Sequence, residues 1–270
     1  MTRAHDRGPM RKLLAIFVAA GALACSKSTP QASSNAMPTS PSAAASPAVP
    51  STAQDVLTSS QGQVQFTPIY HATFLMRFEG KALYLDPVKE GHYDGLPKAT
   101  HIVITDIHPD HFDPATIASI RTPSTVLIGP QVVADKLPGT IVLHNGDSKQ
   151  FDGFSVEAIA AYNMKRGPAP GQLYHDKGRG NGYVFTIGDR RIYVSGDTEC
   201  TPEMKALKNI DVAFVCMNLP YTMPPSEAAE CIKSFHPAVV YPYHFRGSDP
   251  KELLSALAGT GIDVRIRTWY

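Results

Sequence analysis

Residues 101 to 114 narrow what this chain can fold into more than any other stretch. His101-Ile-Val-Ile-Thr105 is a nearly continuous apolar run, the pattern of a strand buried on both faces, which needs a covering layer on each side. The run leads directly into Asp106-Ile-His108-Pro-Asp110-His111. Asp113-Pro114 then marks a helix start, with the carboxylate as N-cap and proline at the first helical position. A short loop of carboxylates and imidazoles at the C-terminal end of a buried strand suits a metal site. Neighbours in so tight a loop project in different directions, so Asp110 and His111 can serve a different ion from Asp106 and His108. The competing reading, a polar surface loop that happens to hold two histidines, weakens as further ligand types appear at other strand ends.

The flanking sequence alternates short β-rich runs with turn and helix signals. Val64-Gln-Phe66, Thr73 to Phe78 and Ala82 to Leu85 are expected as antiparallel strands, the last two joined at Glu79-Gly80. Strands are expected again at Thr125 to Ile128, Ile141 to Leu143 and Phe154 to Ala160, with a helix at Gln131 to Lys136. The second half repeats the theme: strands at Tyr183 to Ile187, Arg191 to Ser195, Val212 to Cys216, Ala238 to Tyr241 and Val264 to Ile266. Helices are expected near Pro202 to Leu207, Ser226 to Phe235 and Pro250 to Leu257. Two strand-rich halves, each followed by helices, suggest two sheets packed face to face with helices outside.

At 43% hydrophobic residues, the 270-residue chain can bury one sizeable core, or two half-cores sharing an interface. Lys+Arg 25 against Asp+Glu 24 leaves a net charge of +1. That balance lacks the basic excess of a nucleic-acid binder, so no nucleic-acid partner is expected. Near the N-terminus, Arg11-Lys12 precedes an apolar run from Leu13 to Leu23 that is short for a bilayer span and ends in Ala22-Leu-Ala-Cys25. This resembles a bacterial lipoprotein signal peptide over residues 1–25, which implies a lipidated Cys25. Ser26 after it permits transport to the outer membrane, so the expected location is the cell envelope, on the periplasmic face of that membrane. Membrane contact is then expected through the anchor alone. Residues 26–58 are rich in Ser, Pro and Ala and read as a flexible tether, with the folded domain over 59–270. Cys200, Cys216 and Cys231 remain, an odd number that implies no complete disulfide framework. Cys216, in Val212-Ala-Phe-Val-Cys216, is expected in the core.

Further ligand types stand at two other strand ends. Tyr193-Val-Ser-Gly196-Asp197-Thr198 places a carboxylate behind a glycine turn, where it can bridge two cations about 3.5–4 Å apart. Val239-Val-Tyr-Pro-Tyr243-His244 ends a buried strand with a histidine. Together with the loop, Tyr70-His71-Ala-Thr-Phe-Leu and Leu85-Asp86-Pro87, these motifs resemble the metallo-β-lactamase superfamily from about residue 64 to the C-terminus. The subgroup they look most like includes ascorbate-phosphate lactonases and related hydrolases. The resemblance implies an α/β fold, a four-layer αββα sandwich of two mixed β-sheets flanked by helices, with two divalent metal ions at one edge. Asp110, His111 and His244 would hold one ion, Asp197 would bridge, and His108 would belong to the other.

Two positions depart from the family pattern, both on the site of His108. Asp106 stands where the family loop begins with histidine, and Asn163 stands where the family has a third histidine. An Asp ligand is harder than imidazole and adds charge, so Mn or Fe become alternatives to Zn. His175 lies nearby in sequence and either supplies the missing nitrogen or contacts substrate; Asn163 is the other candidate to complete the site. His71 is expected beside the ligands rather than among them. Tyr221 and Arg246 are expected around the substrate, and Lys165, Arg166 and Arg179 are charges near the same mouth.

The chemistry implied is hydrolysis of an ester, lactone, amide or phosphodiester, in a small-molecule or lipid-like substrate, by water activated between two cations. Asp110 would orient the nucleophile or relay the leaving-group proton as well as ligate. True β-lactamase activity is disfavoured by the subgroup resemblance and the altered site. From another class, the alternative is a catalytically weak or inactive protein that keeps the fold and one ion.

Overall fold

The computed structural model describes residues 55–270. The signal expected over residues 1–25, Cys25 and most of the expected linker lie outside these residues. The first strand, β1 (Val56–Ser59), takes in Val56 to Thr58, which the sequence assigns to the linker. It pairs antiparallel with β2 (Gly62–Tyr70). Antiparallel pairing continues through β3 (Thr73–Phe78) to β4 (Lys81–Leu85). The β3–β4 turn has Glu79 at φ 44° and Gly80 at φ 72°, the positive φ pair whose twist matches the flanking strands.

From β4 onward the pairing becomes parallel, through β5 (Ala99–Val103), β6 (Arg121–Gly129) and β7 (Thr140–Val142). Parallel neighbours need crossovers, and α1 (Pro114–Ile120) and α2 (Gln131–Ala134) lie in two of them. Asp113 caps α1 as its sequence suggests, accepting from the N–H groups of Ala115 and Thr116.

The second half repeats this plan. The strands β8 (Ser148–Phe151), β9 (Phe154–Ala161), β10 (Gly180–Ile187) and β11 (Arg190–Val194) are antiparallel. The strands β12 (Val212–Cys216), β13 (Val239–Tyr243) and β14 (Asp263–Val264) then continue in parallel from β11. The connecting helices are α3 (Pro202–Lys205), α4 (Pro225–Phe235) and α5 (Pro250–Ala256). Each half thus forms one seven-stranded mixed sheet in sequential order.

Period-two alternation divides the side chains between two cores. Phe74, Met76, Phe78, Leu83 and Leu85 enter the core shared with the second sheet, while Leu75, Ala82 and Tyr84 face the core with Ile117 and Ile120 of α1. Phe74 stacks on Phe214 of β12 at 4.3 Å between ring centroids, and Phe78 meets Phe154 of β9 edge-on at 5.4 Å. The two sheets therefore pack face to face, with helices on the outer faces.

Of the three cysteines in the described residues, two pair and one stays free. Cys200 and Cys231 form a disulfide, with Cα atoms 5.5 Å apart, inside the range a disulfide requires. It ties the turn before α3 to the buried face of α4. Cys216 is free and buried, as expected for a core residue.

Candidate metal centre

Loops after the C-terminal ends of β5, β11, β12 and β13 converge at one edge of the sandwich, as such ends do in open α/β sheets. The structure brings together Asp106, His108, Asp110 and His111 from the first, Asp197 from the second, and His244 from the fourth. His175 reaches the same place from the segment between β9 and β10. Gly196 sets the entry of Asp197: its φ is +60°, and an added Cβ would lie 2.6 Å from the Asn181 carbonyl oxygen.

His111, Asp197 and His244 form one buried group. The Nε2 atoms of His111 and His244 are 3.2 Å apart, and Asp197 Oδ1 lies 3.4 Å from the first and 3.2 Å from the second. Asp110 Oδ2 adds a donor 3.4 Å from His244 Nε2. Ligands held at about 2.1 Å from a tetrahedral ion stand about 3.4 Å from one another, so this spacing fits a metal. Asp197 Oδ1 is also buried with no hydrogen-bond partner among the described residues, a costly state that a cation would relieve.

The second group comprises Asp106, His108 and His175. His175 Nε2 is 3.2 Å from Asp197 Oδ2 and 3.8 Å from Asp106 Oδ2. Asp197 therefore turns one carboxylate oxygen to each group. His175, rather than Asn163, points a ring nitrogen inward. Asn163 accepts from the His175 Nδ1–H at 2.6 Å, and its own amide donates to Glu199 and to the Tyr221 carbonyl.

The same arrangement recurs at the other rings. His111 Nδ1–H donates to Asp86 at 2.8 Å and His244 Nδ1–H to Asn218 at 2.9 Å. A proton fixed on Nδ1 leaves the Nε2 lone pair for the centre. His71, Asp86 and His244 have φ values of 53°, 44° and 48°, a left-handed conformation that costs about 1–3 kcal/mol at each such residue and gathers at functional sites. His71 stands beside the ligands, joined to Asp110 Oδ2 at 3.2 Å and to the Tyr270 hydroxyl at 2.8 Å.

Electrostatics keep the carboxylates ionised. Burial pushes the Asp106 carboxyl up, but the His108 hydrogen bond and the His108, His111 and Arg179 charges bring it down to about 2. Burial also opposes ionisation of Asp197, yet the His244 and His111 charges hold it well below the usual range. Burial works to lower His111, and the Asp197 and Asp86 carboxylates more than offset it, so the ring stands well above the ordinary histidine value.

A cleft of about 610 Å³ opens over the centre. His71, Asp110, His175 and His244 lie on its floor, and Tyr174, Leu219, Pro220, Tyr221 and Arg246 on its walls. Of the four cations read near the mouth, Lys165 pairs with Glu227, Arg166 with Glu199 and Glu227, and Arg179 with Asp106. Arg246 has no carboxylate partner among the described residues; it donates to the Tyr70 hydroxyl and lies over the Tyr70 and Tyr270 rings. The sequence alone does not mark Asp86 or Asn218 as site residues. Leu85-Asp86-Pro87 was a visible motif, whereas Met217-Asn218 carries no local signal.

Two back-to-back mixed sheets carrying a histidine–aspartate centre at their strand ends define a class. The chain belongs to the β-lactamase superfamily, whose domain profile matches residues 65–244. Within it, a UPF0173 metal-dependent hydrolase of Symbiobacterium thermophilum is 31% identical over 218 residues, covering 76% of this chain and 92% of that protein. A crystal structure from Parabacteroides distasonis, named for a metal-dependent hydrolase, matches at 40% identity and TM-score 0.75, over 79% of this chain and 97% of that one. Igni18, a metallo hydrolase from Ignicoccus hospitalis, shares the fold at TM-score 0.62 and 23% identity, over 76% and 94% of the two chains. The chain is thus a metal-dependent hydrolase of the UPF0173 family.

Proposed function

We propose that the protein hydrolyses a small anionic ester, lactone, amide or phosphodiester carrying an apolar group, using two divalent ions, zinc first among them. The observation that carries this reading is Asp197, whose two carboxylate oxygens face separate ligand groups. His111, His244 and Asp110 would hold one ion, Asp106, His108 and His175 the other, with Asp197 shared. Ions there would supply Lewis acidity and ease the ionisation of water.

The chain's own residues do the rest. Asp110 differs from the buried ligands in having a side chain 48% exposed to the cleft. Burial raises its carboxyl, but the hydrogen bonds from His244 and His71 hold it well below the usual range. It therefore starts as a proton acceptor and then returns that proton to the leaving group. His71 orients Asp110 and is oriented by Tyr270. Tyr174, Leu219 and Tyr221 suit an apolar group, and Arg246 suits the anion. Such a substrate fits the ascorbate-phosphate lactonase subgroup and also a phospholipid-like ester.

The same reading places the enzyme in the cell envelope on a lipid attached to Cys25, supported by the Arg11 to Cys25 pattern. Mass spectrometry of the mature N-terminus should show a diacylglyceryl mass that Cys25→Ala removes; an unmodified mature chain would refute the anchor.

Metal analysis of tag-free protein, with hydrolysis of ester, lactone and phosphodiester substrates, tests the central reading. It requires about two equivalents per chain, loss of turnover in Asp110→Ala, and a raised KM for anionic substrates in Arg246→Ala. Metal-free protein, or turnover indifferent to Asp110, would sink it. A second reading, a weakly catalytic protein keeping one ion, draws support from the Arg179–Asp106 ion pair.

A further inference from the structure

We propose that Arg179 is an internal cation competing with a divalent ion for the Asp106–His108–His175 group, so that the two sites fill in order. The His111–Asp197–His244 group fills first, and the second ion enters only as the guanidinium leaves Asp106. The inference rests on the two-ion reading and adds to it an order of loading and the residue that enforces it.

The two groups differ in what already occupies them. In the first to fill, two imidazole nitrogens and an unpartnered carboxylate oxygen converge with no lysine or arginine side chain paired to them among the described residues. In the other, Arg179 grips Asp106 with both arms of its fork: Nε donates to Oδ1 at 3.2 Å and Nη2 to Oδ2 at 2.9 Å. The same Nη2 lies 3.3 Å from His108 Nε2. Asp106 Oδ2 also receives His108 Nδ1 at 2.8 Å and is the oxygen turned toward His175 Nε2. Thus the oxygen best placed for an ion, and both nitrogens of His108, face protein partners already present. A planar guanidinium matches a carboxylate in this bidentate way better than any other side chain.

A guanidinium and a divalent ion packed around the same oxygen repel one another in a site this buried. One of them must move, and the arginine can. Its side chain is 23% exposed, at the rim of the site, so a long flexible arm has a path to water. Asp106, His175 and Asp197 are short or ring side chains held buried in place. The pairing also explains how a buried Asp106 is tolerated without an ion: removing either partner of such a pair leaves an uncompensated buried charge.

Calorimetric titration of the metal-free full-length chain with Mn²⁺ tests the proposal without reference to turnover. Wild type should take up two equivalents in separate steps, and Mn²⁺ electron paramagnetic resonance should show an isolated-ion signal at one equivalent, replaced by a coupled signal at two. Arg179→Gln should tighten the weaker step at least tenfold and leave the stronger within a factor of two. Arg179→Lys, which keeps the charge and loses the fork, should fall between. His244→Ala should abolish the stronger step instead.

An Arg179→Gln chain that folds normally by circular dichroism yet binds the second ion no more tightly, or more weakly, would overturn the proposal and make Arg179 an orienting partner of Asp106. Uptake of both ions in one step by wild type would overturn the ordering. Binding of no metal by wild type would refute the two-ion reading itself, a distinguishable result.

Discussion

Asn163 holds the His175 ring rather than facing the centre itself. Its carboxamide oxygen accepts from both the His175 backbone N–H and ring Nδ1–H, at 2.9 and 2.6 Å. Glu199, fully buried, accepts from the Asn163 amide and pairs with Arg166. Partners that orient a ligand in this way are worth about 10–100-fold in metal affinity. Asn163→Ala should therefore weaken one of two equivalents by that factor, read by competition with a chromogenic chelator, and leave the other unchanged. A second residue-scale expectation concerns pH. Burial lowers the His111 pKa, but the Asp197 and Asp86 carboxylates raise it above the ordinary histidine value, so a proton competes with an ion for Nε2. Apparent metal affinity should rise up to about tenfold per pH unit and level off above the His111 pKa. In the metal-free protein the same group adds stability below about pH 6.5 that is lost as pH rises through its folded value. Titrations across pH 5–9 in buffers of different protonation enthalpy would show the released proton.

Among elements, the strand ends matter most, because strand burial fixes where each ligand loop departs. The Gly196 turn is the most demanding. At φ +60°, with the Asn181 carbonyl oxygen 2.6 Å from an added Cβ, Gly196→Ala should cost about 1–3 kcal/mol or more and displace Asp197. Asp113→Ala, which removes the α1 cap, should cost about 1 kcal/mol and leave metal binding intact. Urea melts paired with metal titration distinguish the two. The elements around these turns were legible from sequence because their strands are apolar and end in punctuation: β5, β11, β12 and β13 each finish on consecutive buried residues. The edge strands β1 and β8 were not, since Ser148-Lys-Gln-Phe151 is almost wholly exposed and leaves no hydrophobic period. The ligand types in the loops were equally legible. Their partners were not: Asp86 on His111, Asn218 on His244, Arg179 on Asp106 and Cys200 on Cys231 each join residues distant in sequence and share no local pattern.

For the molecule as a whole, the first sheet's loops contribute Asp106, His108, Asp110 and His111, and the second half contributes His175, Asp197 and His244. A bound ion therefore joins the two halves directly. Binding at about 100 times the dissociation constant adds roughly 2.7 kcal/mol, so removal of metal by a chelator should lower the melting temperature by about 5–10 °C. Calorimetry before and after chelation, with recovery on adding metal back, checks this; an unchanged Tm would speak against ions bridging the halves. The C-terminal segment joins them too. Trp269 is buried against Phe74, Phe214 and Tyr243, and its carbonyl accepts from the His71 N–H. Trp269→Ala should cost about 3–5 kcal/mol and loosen His71 along with the core.

The division of ligands also sets a timetable for synthesis. A ribosome that has released the Asp106–His111 loop has made a partial chelator, able to grip an ion only weakly. Asp197 appears some ninety residues later, and His244 follows forty-seven residues after that. If the His111–Asp197–His244 group holds an ion, its ligands come together only once β13 and His244 have been made, so tight capture there would coincide with closure of the sandwich. A fragment broken off before β13 would carry Asp106, His108, His175 and Asp197 yet lack His244.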